Sequence, residues 1–451
     1  MHILVLSLYD LGRPPLEALS TAARLRDVLR DAGGGTVEVV DLAVADWPTS
    51  HVARADAVVV SVPMHTAAMM ATDASARIRS ENPRASVASF GLYAHLAGDA
   101  LRNAVDASFG PHELDALSGW LVARNDSAAG SDANPVAGLS APQTPVSLDG
   151  YTQLAVGGER RVAGAVSAST GCLHRCTHCP VPVAYDGRIR LATVDSVLAS
   201  AEAQINAGAV HLSFTDPDFL NAPSHARRVL AALNSRFPTV TFDCTVKVEH
   251  IVRHVDVWPE LAAAGCLFVV SALESVDNDV LKILDKGHTA SAGEDAVGIL
   301  RSAGIEIRPS LLPFTPWTTI GGIAELFAFS ERCDLVDSID PVQYSIRLLV
   351  PRGSLLASHP AMLPYRGDYD DAAMTYRWRA ADAAVDALQL ELAAIAEAGA
   401  AQDQAPRETY ACMRAVVVDA LGPGETAAIL QASIRYGSTE ARPRMTEPWF
   451  C

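Results

Sequence analysis

Residues 171–180 read Gly-Cys-Leu-His-Arg-Cys-Thr-His-Cys-Pro and place Cys172, Cys176 and Cys179 in one short loop with C-x3-C-x2-C spacing. Three thiolates this close together can all bind one metal centre. A [4Fe–4S] cluster usually takes four Cys ligands, so a cluster held by three keeps one iron open to a substrate or cofactor. The spacing therefore predicts a catalytic iron–sulfur site rather than an electron-transfer site.

A structural zinc ion is the alternative interpretation of the same loop. Zinc in structural sites takes four nitrogen or sulfur ligands, and His174 or His178 could supply the fourth. Structural zinc sites usually pair two ligand clusters, however, and the sequence shows no second cluster. The iron–sulfur interpretation is therefore favoured, and a disulfide is the least favoured of the three.

The composition of the 451-residue chain indicates a globular protein of two or three domains, because 49% of its residues are hydrophobic and 19% are charged. A formal net charge of −17 argues against a nucleic-acid or anionic-membrane partner. Eight cysteines in so long a chain do not indicate a disulfide framework. With no signal-peptide pattern and no long apolar run, we expect a soluble cytoplasmic protein without a membrane segment.

Residues 1–124 show apolar strand patterns that alternate with helical ones, and this alternation predicts a doubly wound parallel sheet with both faces covered. Residues 125–150 are rich in Ala, Ser, Gly, Asp and Pro, which is typical of a flexible linker. The predicted strands of the first domain are His2–Ser7, Thr36–Asp41, Ala57–Val62 and Ala85–Phe90.

Residues 151–356 contain six further strand–helix units, which predict a partial (β/α)6 barrel with its chemistry at the carboxyl ends of the strands. Residues 357–451 are predicted to form a helical cap, with helices over Asp370–Ala398 and Ala405–Leu421 and a tail that ends at Cys451. The predicted barrel strands are Arg161–Ala168, Val210–Phe214, Thr241–Val248, Leu267–Ala272, Ile305–Leu312 and Val342–Leu349.

The cysteine triplet and the strand–helix units that follow it resemble the radical S-adenosylmethionine (SAM) superfamily over residues 161–356. The resemblance implies that the open iron chelates the amino and carboxylate groups of SAM. It also implies that reductive cleavage of a C–S bond then gives a carbon radical. A reductant such as a flavodoxin or ferredoxin, and a small-molecule substrate, are the implied partners.

The first domain resembles the Rossmann-like, cobalamin-binding domain that precedes many radical SAM domains. Those domains often carry Asp-x-His-x-x-Gly after the first strand, where the His ligates cobalt. Here Asp10 is followed by Leu-Gly-Arg-Pro-Pro, without a His. The missing ligand argues against bound cobalamin and favours a vestigial scaffold or a partner surface.

By the same resemblance, polar residues at the ends of successive strands face SAM. Asp216 and Asp218 stand where the family holds a short motif that grips the SAM ammonium group. Lys247 and Glu249 follow the next strand, and Lys247 suits the SAM carboxylate. An Asp-Pro turn and a structural salt bridge are the respective alternatives.

Glu274 and Ser275 end the strand after that, and Glu274 suits a ribose hydroxyl of SAM, with a structural salt bridge again as the alternative. The loop over residues 313–319 reads Pro-Phe-Thr-Pro-Trp-Thr-Thr and follows a later strand. Its aromatic and hydroxyl side chains, Thr315 and Trp317 in particular, predict a wall of the substrate pocket.

The stretch over residues 442–451 ends in Trp-Phe-Cys and resembles the radical SAM group named for a Cys-Cys-Ala-Glu-Pro or Cys-selenocysteine-Ala-Glu-Pro tail, the CUAEP/CCAEP-tail proteins. Because the selenocysteine codon is also a stop codon, we expect the gene to continue past Cys451 with selenocysteine. Cys451 is then a catalytic thiol; a natural terminus is the alternative. The internal stretches that share this resemblance are 179–182, 216–219, 247–250, 285–289 and 313–319.

The radical SAM enzyme of arsinothricin biosynthesis belongs to this tail group. The resemblance implies cleavage of SAM toward a 3-amino-3-carboxypropyl radical, which is added to trivalent arsenic. A vicinal Cys–Cys or Cys–selenocysteine pair suits this acceptor because soft thiolates and selenolates bind soft centres. The alternatives are hydrogen abstraction from a metabolite or peptide by a 5′-deoxyadenosyl radical, and a non-catalytic zinc-binding protein.

Overall fold

The structure is a computed structural model, and it describes residues 1–9, 12–31, 34–124, 147–421 and 442–447. Most of the predicted linker, the Asp10 position and Cys451 lie outside these residues.

The N-terminal region forms one sheet of five parallel strands in the order β2–β1–β3–β4–β5. Every residue of β3 is buried, as a strand covered on both faces requires. The predicted doubly wound sheet is confirmed. Its elements are β1 (His2–Ser7), α1 (Leu16–Asp31), β2 (Thr36–Asp41), α2 (Thr49–Arg54), β3 (Ala57–Ser61), α3 (His65–Glu81), β4 (Ser86–Phe90), α4 (Gly98–Ala104), β5 (Ala107–Phe109) and α5 (Leu114–Val122).

The second sheet has seven strands in the order β13–β12–β11–β10–β7–β6–β16, of which β7 and β10–β13 are parallel and curve into a partial barrel. The barrel elements through the cysteine loop are β6 (Gln153–Val156), β7 (Glu159–Val166), β8 (Ser169–Gly171), α6 (Val181–Tyr185), β9 (Ile189–Leu191), α7 (Val194–Asn206) and β10 (His211–Phe214). The later ones are α8 (Pro223–Arg236), β11 (Thr241–Thr245), α9 (Val248–Arg253), α10 (Trp258–Ala263), β12 (Cys266–Glu274), α11 (Asn278–Ile283), α12 (Ala290–Ser302), β13 (Glu306–Leu311) and α13 (Ile320–Arg332).

The predicted sixth barrel strand, Val342–Leu349, is wrong for most of its length. Residues Pro341–Ser345 form a 3-10 turn, and a single parallel bridge joins Phe314 to Arg347. The backbone N–H of Leu311, at the edge of β13, instead donates to the side-chain oxygen of Gln343 at 2.8 Å. The Gln343 side chain thus supplies the acceptor for a backbone N–H at the edge of the sheet, where a further strand would have supplied a carbonyl.

The predicted helix over Asp370–Ala398 begins thirteen residues later than expected, at Ala383. Asp370 ends a strand, and its side chain accepts from the backbone N–H groups of Ala372 and Ala373, which closes a turn. The resulting hairpin projects toward the N-terminal sheet. The remaining elements are β14 (Arg366–Asp370), β15 (Thr375–Trp378), α14 (Ala383–Ala401), α15 (Pro406–Leu421) and β16 (Arg444–Met445).

No helix in the described part of the chain is long and apolar enough to cross a membrane.

Candidate active site

The cysteine loop connects β8 to α6 and contains three free thiols. Cys172 and Cys176 are buried, and Cys179 is half-buried. Gly171 turns the chain into the loop with a φ of 80°, and a Cβ there would lie 2.2 Å from the carbonyl oxygen of Arg188. Only glycine fits this turn, so the loop geometry depends on the residue that precedes the first cysteine.

The thiols are suited to a bound cation. Burial raises the pKa of Cys172, and it raises the pKa of Cys179 to about 12. The Cys176 thiol lies close enough to raise both values further. Three clustered thiolates in this environment need a positive charge among them, which a metal centre supplies. The donor set therefore fits an iron–sulfur cluster, with sulfur ligands from this loop.

The two histidines of the loop are directed toward acidic side chains. The Nε2 atom of His178 lies 3.2 Å from Oε1 of Glu274. His174 lies between Asp218 and Glu249, at 3.6 and 3.8 Å. Among the described residues, neither imidazole lies in one group of ligand atoms with the cysteine thiols, as the fourth ligand of the zinc interpretation would.

Asn221 contacts the first cysteine of the loop, with Nδ2 donating to Sγ of Cys172 at 3.5 Å. Hydrogen bonds to cluster sulfurs are one of the means by which proteins tune iron–sulfur reduction potentials. Asn221 lies 49 positions from the cysteine, so no local sequence pattern indicates this contact. Only the fold brings it to the loop.

Glu274 lies at the carboxyl end of β12 and forms a buried ion pair with Lys286, with Nζ and Oε1 at 3.0 Å. Burial alone would raise the pKa of Glu274, but Lys286 and His178 outweigh it and hold the pKa well below its usual range. The carboxylate therefore stays ionised. Glu274 also has a φ of 61° at an irregularity in the β12–β13 register. Strained backbone of this kind clusters at functional sites.

Lys247 and Glu249 follow β11 and form a second charged pair, with Nζ and Oε2 at 3.5 Å. Glu249 also pairs with Arg253. Burial raises the pKa of Glu249, but the positive charges of Lys247 and Arg253 lower it more. A Cβ at Gly287 would lie 2.5 Å from this carboxylate, so the chain passes close over it.

Asp216 is buried and bound by the chain that precedes the cysteine loop. It accepts from the backbone N–H of Ala168 at 2.9 Å and from the hydroxyl of Ser169 at 2.6 Å. Burial raises its pKa to about 6. Both oxygens of Asp216 thus have hydrogen-bond partners. In Asp218, Oδ1 accepts from the backbone N–H of Leu220, but Oδ2 has no hydrogen-bond partner among the described residues.

The remaining predicted site residues form hydrogen bonds away from the cysteine loop. The Thr315 hydroxyl lies 2.9 Å from that of Thr318, and Nε1 of Trp317 donates to the carbonyl of Ala361. The Ser275 hydroxyl accepts from a backbone N–H two residues on. Within the described residues, no hydrogen bond or ion pair joins these three side chains to the cysteine loop. Their proposed roles stay predictions, as does that of Cys451.

The carboxyl edge of the N-terminal sheet is filled by the β14–β15 hairpin. Met374, at its tip, is 3% exposed and packs in one apolar cluster with Leu8 and Tyr93. His65, after β3, donates from Nε2 to the carbonyl of Ala373 at 2.9 Å. In a sheet of this strand order, ligands bind in the crevice at the ends of β1 and β3. Protein atoms occupy that crevice here, which argues against a fit for cobalamin.

A family model described as the radical SAM superfamily matches residues 166–327. No curated protein sequence matches the chain. Among solved structures, the chain is similar to OxsB, a cobalamin-dependent SAM radical enzyme. With aqua-cobalamin and SAM bound, the TM-score is 0.64 at 14% identity over 93% of this chain and 72% of that one.

A second OxsB structure, with aqua-cobalamin bound, gives a TM-score of 0.62 at 14% identity over 86% of this chain and 66% of that one. TsrM from Kitasatospora setae, a radical SAM methyltransferase with tryptophan and a SAM analogue bound, gives 0.59 at 19% identity, over 78% of this chain and 74% of that one. The chain thus spans 66 to 72% of OxsB. These likenesses show a shared fold, an N-terminal Rossmann-like domain followed by a partial barrel.

Proposed function

Because this chain contains a radical SAM domain and is a radical SAM enzyme, we propose that it cleaves SAM to transfer a 3-amino-3-carboxypropyl group to trivalent arsenic or another soft acceptor. Enzymes of this superfamily use a [4Fe–4S] cluster together with SAM. Cys172, Cys176 and Cys179 are the cluster ligands in this proposal. The observation that carries it is the set of three free cysteines in one loop of the domain that matches the radical SAM superfamily.

The cluster, when bound, supplies the electron that breaks a C–S bond of SAM. The protein's own contribution is binding and orientation. Glu274 and Glu249 lie at the carboxyl ends of neighbouring strands, and each lies near a histidine of the cysteine loop. This placement supports the proposed contacts of Glu274 with the ribose of SAM and of Lys247 with its carboxylate. Buried ionic groups are well suited to holding a polar ligand in one orientation.

The arsenic acceptor is supported by the resemblance to the CUAEP/CCAEP-tail group. Two electrons from a flavodoxin- or ferredoxin-type reductant balance the transfer. The first breaks the bond between sulfur and the aminocarboxypropyl carbon and leaves 5′-methylthioadenosine. The carbon radical then adds to arsenite and forms the arsenic–carbon bond, and the second electron returns the arsenic to the trivalent state with loss of hydroxide.

The test identifies the nucleoside that SAM yields. The protein is reconstituted anaerobically with iron and sulfide and is then incubated with SAM, a reductant and arsenite, with Cys176→Ala as the inactive control. The expected product is 5′-methylthioadenosine, together with an arsenic-bound aminocarboxypropyl group in the mass spectrum.

Two other products would overturn the transfer proposal. 5′-Deoxyadenosine would indicate the alternative, hydrogen abstraction from a metabolite or peptide. S-Adenosylhomocysteine would indicate methyl transfer. If 5′-methylthioadenosine forms without an arsenic product, the acceptor is not arsenite, and the same assay is repeated with other soft acceptors.

A further inference from the structure

Three side chains at and beside the cysteine loop converge in the structure. His174 lies within the loop, Asp218 follows β10, and His250 lies in the first turn of α9. One ligand atom from each residue lies within 4.8 Å of the other two. Oδ2 of Asp218 is 2.8 Å from Nδ1 of His250 and 3.6 Å from Nε2 of His174.

These three atoms are buried and have no hydrogen-bond partner among the described residues. The 2.8 Å contact between His250 and Asp218 is short, but its direction is not that of a hydrogen bond. The Asp218 side chain is 0% exposed and that of His250 is 8% exposed. Buried polar atoms without partners are costly, and such groups are usually paired or bound to a metal ion.

In two members, Asp218 and His174, the second polar atom faces a different group from the one that belongs to the cluster of three. Oδ1 of Asp218 accepts from the backbone N–H of Leu220 at 3.1 Å, which leaves Oδ2 free. Nδ1 of His174 faces the carboxylate of Glu249 at 3.8 Å, which leaves Nε2 free. A carboxylate behind a histidine is the usual arrangement that orients a metal-binding imidazole.

We propose that His174, Asp218 and His250 bind a divalent transition-metal ion, at a site separate from the iron–sulfur cluster. Two imidazoles and one carboxylate are a donor set for Zn²⁺, Fe²⁺ or Co²⁺. Metal–ligand bonds of about 2.1 Å put neighbouring ligand atoms roughly 3 Å apart, so small side-chain shifts suffice to close the site.

The site has the form of a catalytic rather than a structural metal centre, because three protein ligands leave positions open to a water or a substrate oxygen. It also lies next to the cluster loop. His174 is two residues from Cys172, and Asp218 is close enough for its charge to act on the Cys172 thiol. The proposal assigns Asp218 to this ion rather than to the SAM ammonium group.

The experiment uses the protein with its cluster reconstituted. One equivalent of Zn²⁺ is added anaerobically, unbound metal is removed by gel filtration, and iron and zinc are counted by mass spectrometry. Zinc-edge X-ray absorption identifies the ligands. The expected result is one zinc per chain in addition to the cluster iron, with nitrogen and oxygen at about 2.0–2.1 Å and no sulfur at about 2.3 Å.

Variants assign the ligands. His250→Gln and Asp218→Asn should each weaken Zn²⁺ binding by at least about tenfold, because loss of a ligand costs more than loss of an orienting neighbour. His254→Gln is the matched control. Its ring centroid lies 5.6 Å from that of His250, but His254 is not one of the three proposed ligands. Circular dichroism and iron content verify that each variant folds and holds its cluster.

Three results would overturn the proposal: no zinc retained by the wild-type protein, a sulfur shell around the zinc, or binding by both variants as tight as that of wild type. The readout needs neither SAM nor a reductant. A failure of SAM cleavage therefore leaves the metal test intact, and a failure of zinc binding leaves the proposed transfer reaction standing.

Discussion

The two parallel sheets of this protein have carboxyl edges of opposite character. At the N-terminal sheet, a hairpin of the same chain closes the edge, and Met374 enters the apolar core there. At the barrel, the edge carries buried charged groups, among them Asp218, Lys247, Glu274 and Lys286. The same topological position is a packed apolar core in one sheet and a cluster of buried charged groups in the other.

The two edges also differ in their effect on stability. Burying a methionine side chain stabilises a fold by about 1.5–3 kcal/mol. A buried ion pair such as Glu274–Lys286 contributes little net stability compared with apolar residues of the same size. Apolar side chains at the barrel edge would stabilise the fold more than the charged ones do. The charged side chains are therefore best explained by a requirement for binding and chemistry.

The largest expected effect is the loss of the cluster in Cys176→Ala. Removal of one of three cysteine ligands should abolish iron and sulfide retention and, with it, all SAM cleavage. Metal analysis after anaerobic reconstitution measures this. Cys412→Ala is the control, because this cysteine is exposed on α15 and should leave the iron content unchanged. A Cys176→Ala protein that retains a full cluster would contradict the assignment.

The second prediction concerns Glu274→Gln, which leaves the Lys286 ammonium group buried without its partner. The free energy of unfolding should fall by about 3–5 kcal/mol. Urea denaturation measures the change, and the double variant Glu274→Gln/Lys286→Met should recover most of it. A double variant as unstable as the single one would show that the ion pair is not the cause.

The same pair predicts a pH dependence. In the folded protein, Lys286 and His178 hold the pKa of Glu274 below its ordinary value of 4.5. Its contribution to stability is therefore present above pH 4.5 and is lost as the pH falls toward the folded value. Between neutral and acidic pH, wild type should lose more stability than Glu274→Gln. Equal slopes in the two urea series would contradict this.

The third prediction tests the N-terminal edge. Met374→Ala should lower the free energy of unfolding by about 2–5 kcal/mol, because it removes a buried side chain from the core. The cluster content should stay at the wild-type level. Leu390→Ala is the matched control, since this leucine is 69% exposed and its loss should change stability by less than about 0.5 kcal/mol. A Met374→Ala protein as stable as the control would show that the hairpin does not close this edge.

Local patterns were sufficient to predict most of the fold. In α1 the small and apolar residues Ala18, Ala22, Leu25 and Leu29 recur at helical spacing, and all four are buried. The cysteine loop carries its own spacing, and the family match over residues 166–327 confirms the radical SAM domain predicted from it. Patterns of this kind are properties of short segments, so a sequence displays them directly.

The missed features depend on contacts between distant segments. The side chain of Gln343 accepts from the backbone N–H of Leu311 at the edge of β13, and no local pattern indicates this contact. His174, Asp218 and His250 come from three separate segments that only the barrel brings together. The Ala-rich sequence after Asp370 has strong helix propensity, yet tertiary packing of the hairpin overrides it before residue 383.

The smallest expected effect lies at the end of β2, where the Tyr151 hydroxyl donates to the Asp41 carboxylate at 2.9 Å. Burial raises the pKa of Asp41 above 3.8, and hydrogen bonds such as this one offset only part of the rise. The folded state therefore holds the proton longer than the unfolded state, and stability falls as the pH rises from 3.8 through the raised pKa. Tyr151→Phe should deepen this fall by about 0.5–1.5 kcal/mol, and Asp41→Asn should remove it, in urea series at successive pH values. If Tyr151→Phe follows the wild-type curve, the hydroxyl does not stabilise the ionised carboxylate. In that case the packing of Met374 stabilises the carboxyl edge of the N-terminal sheet more than the Tyr151–Asp41 hydrogen bond does.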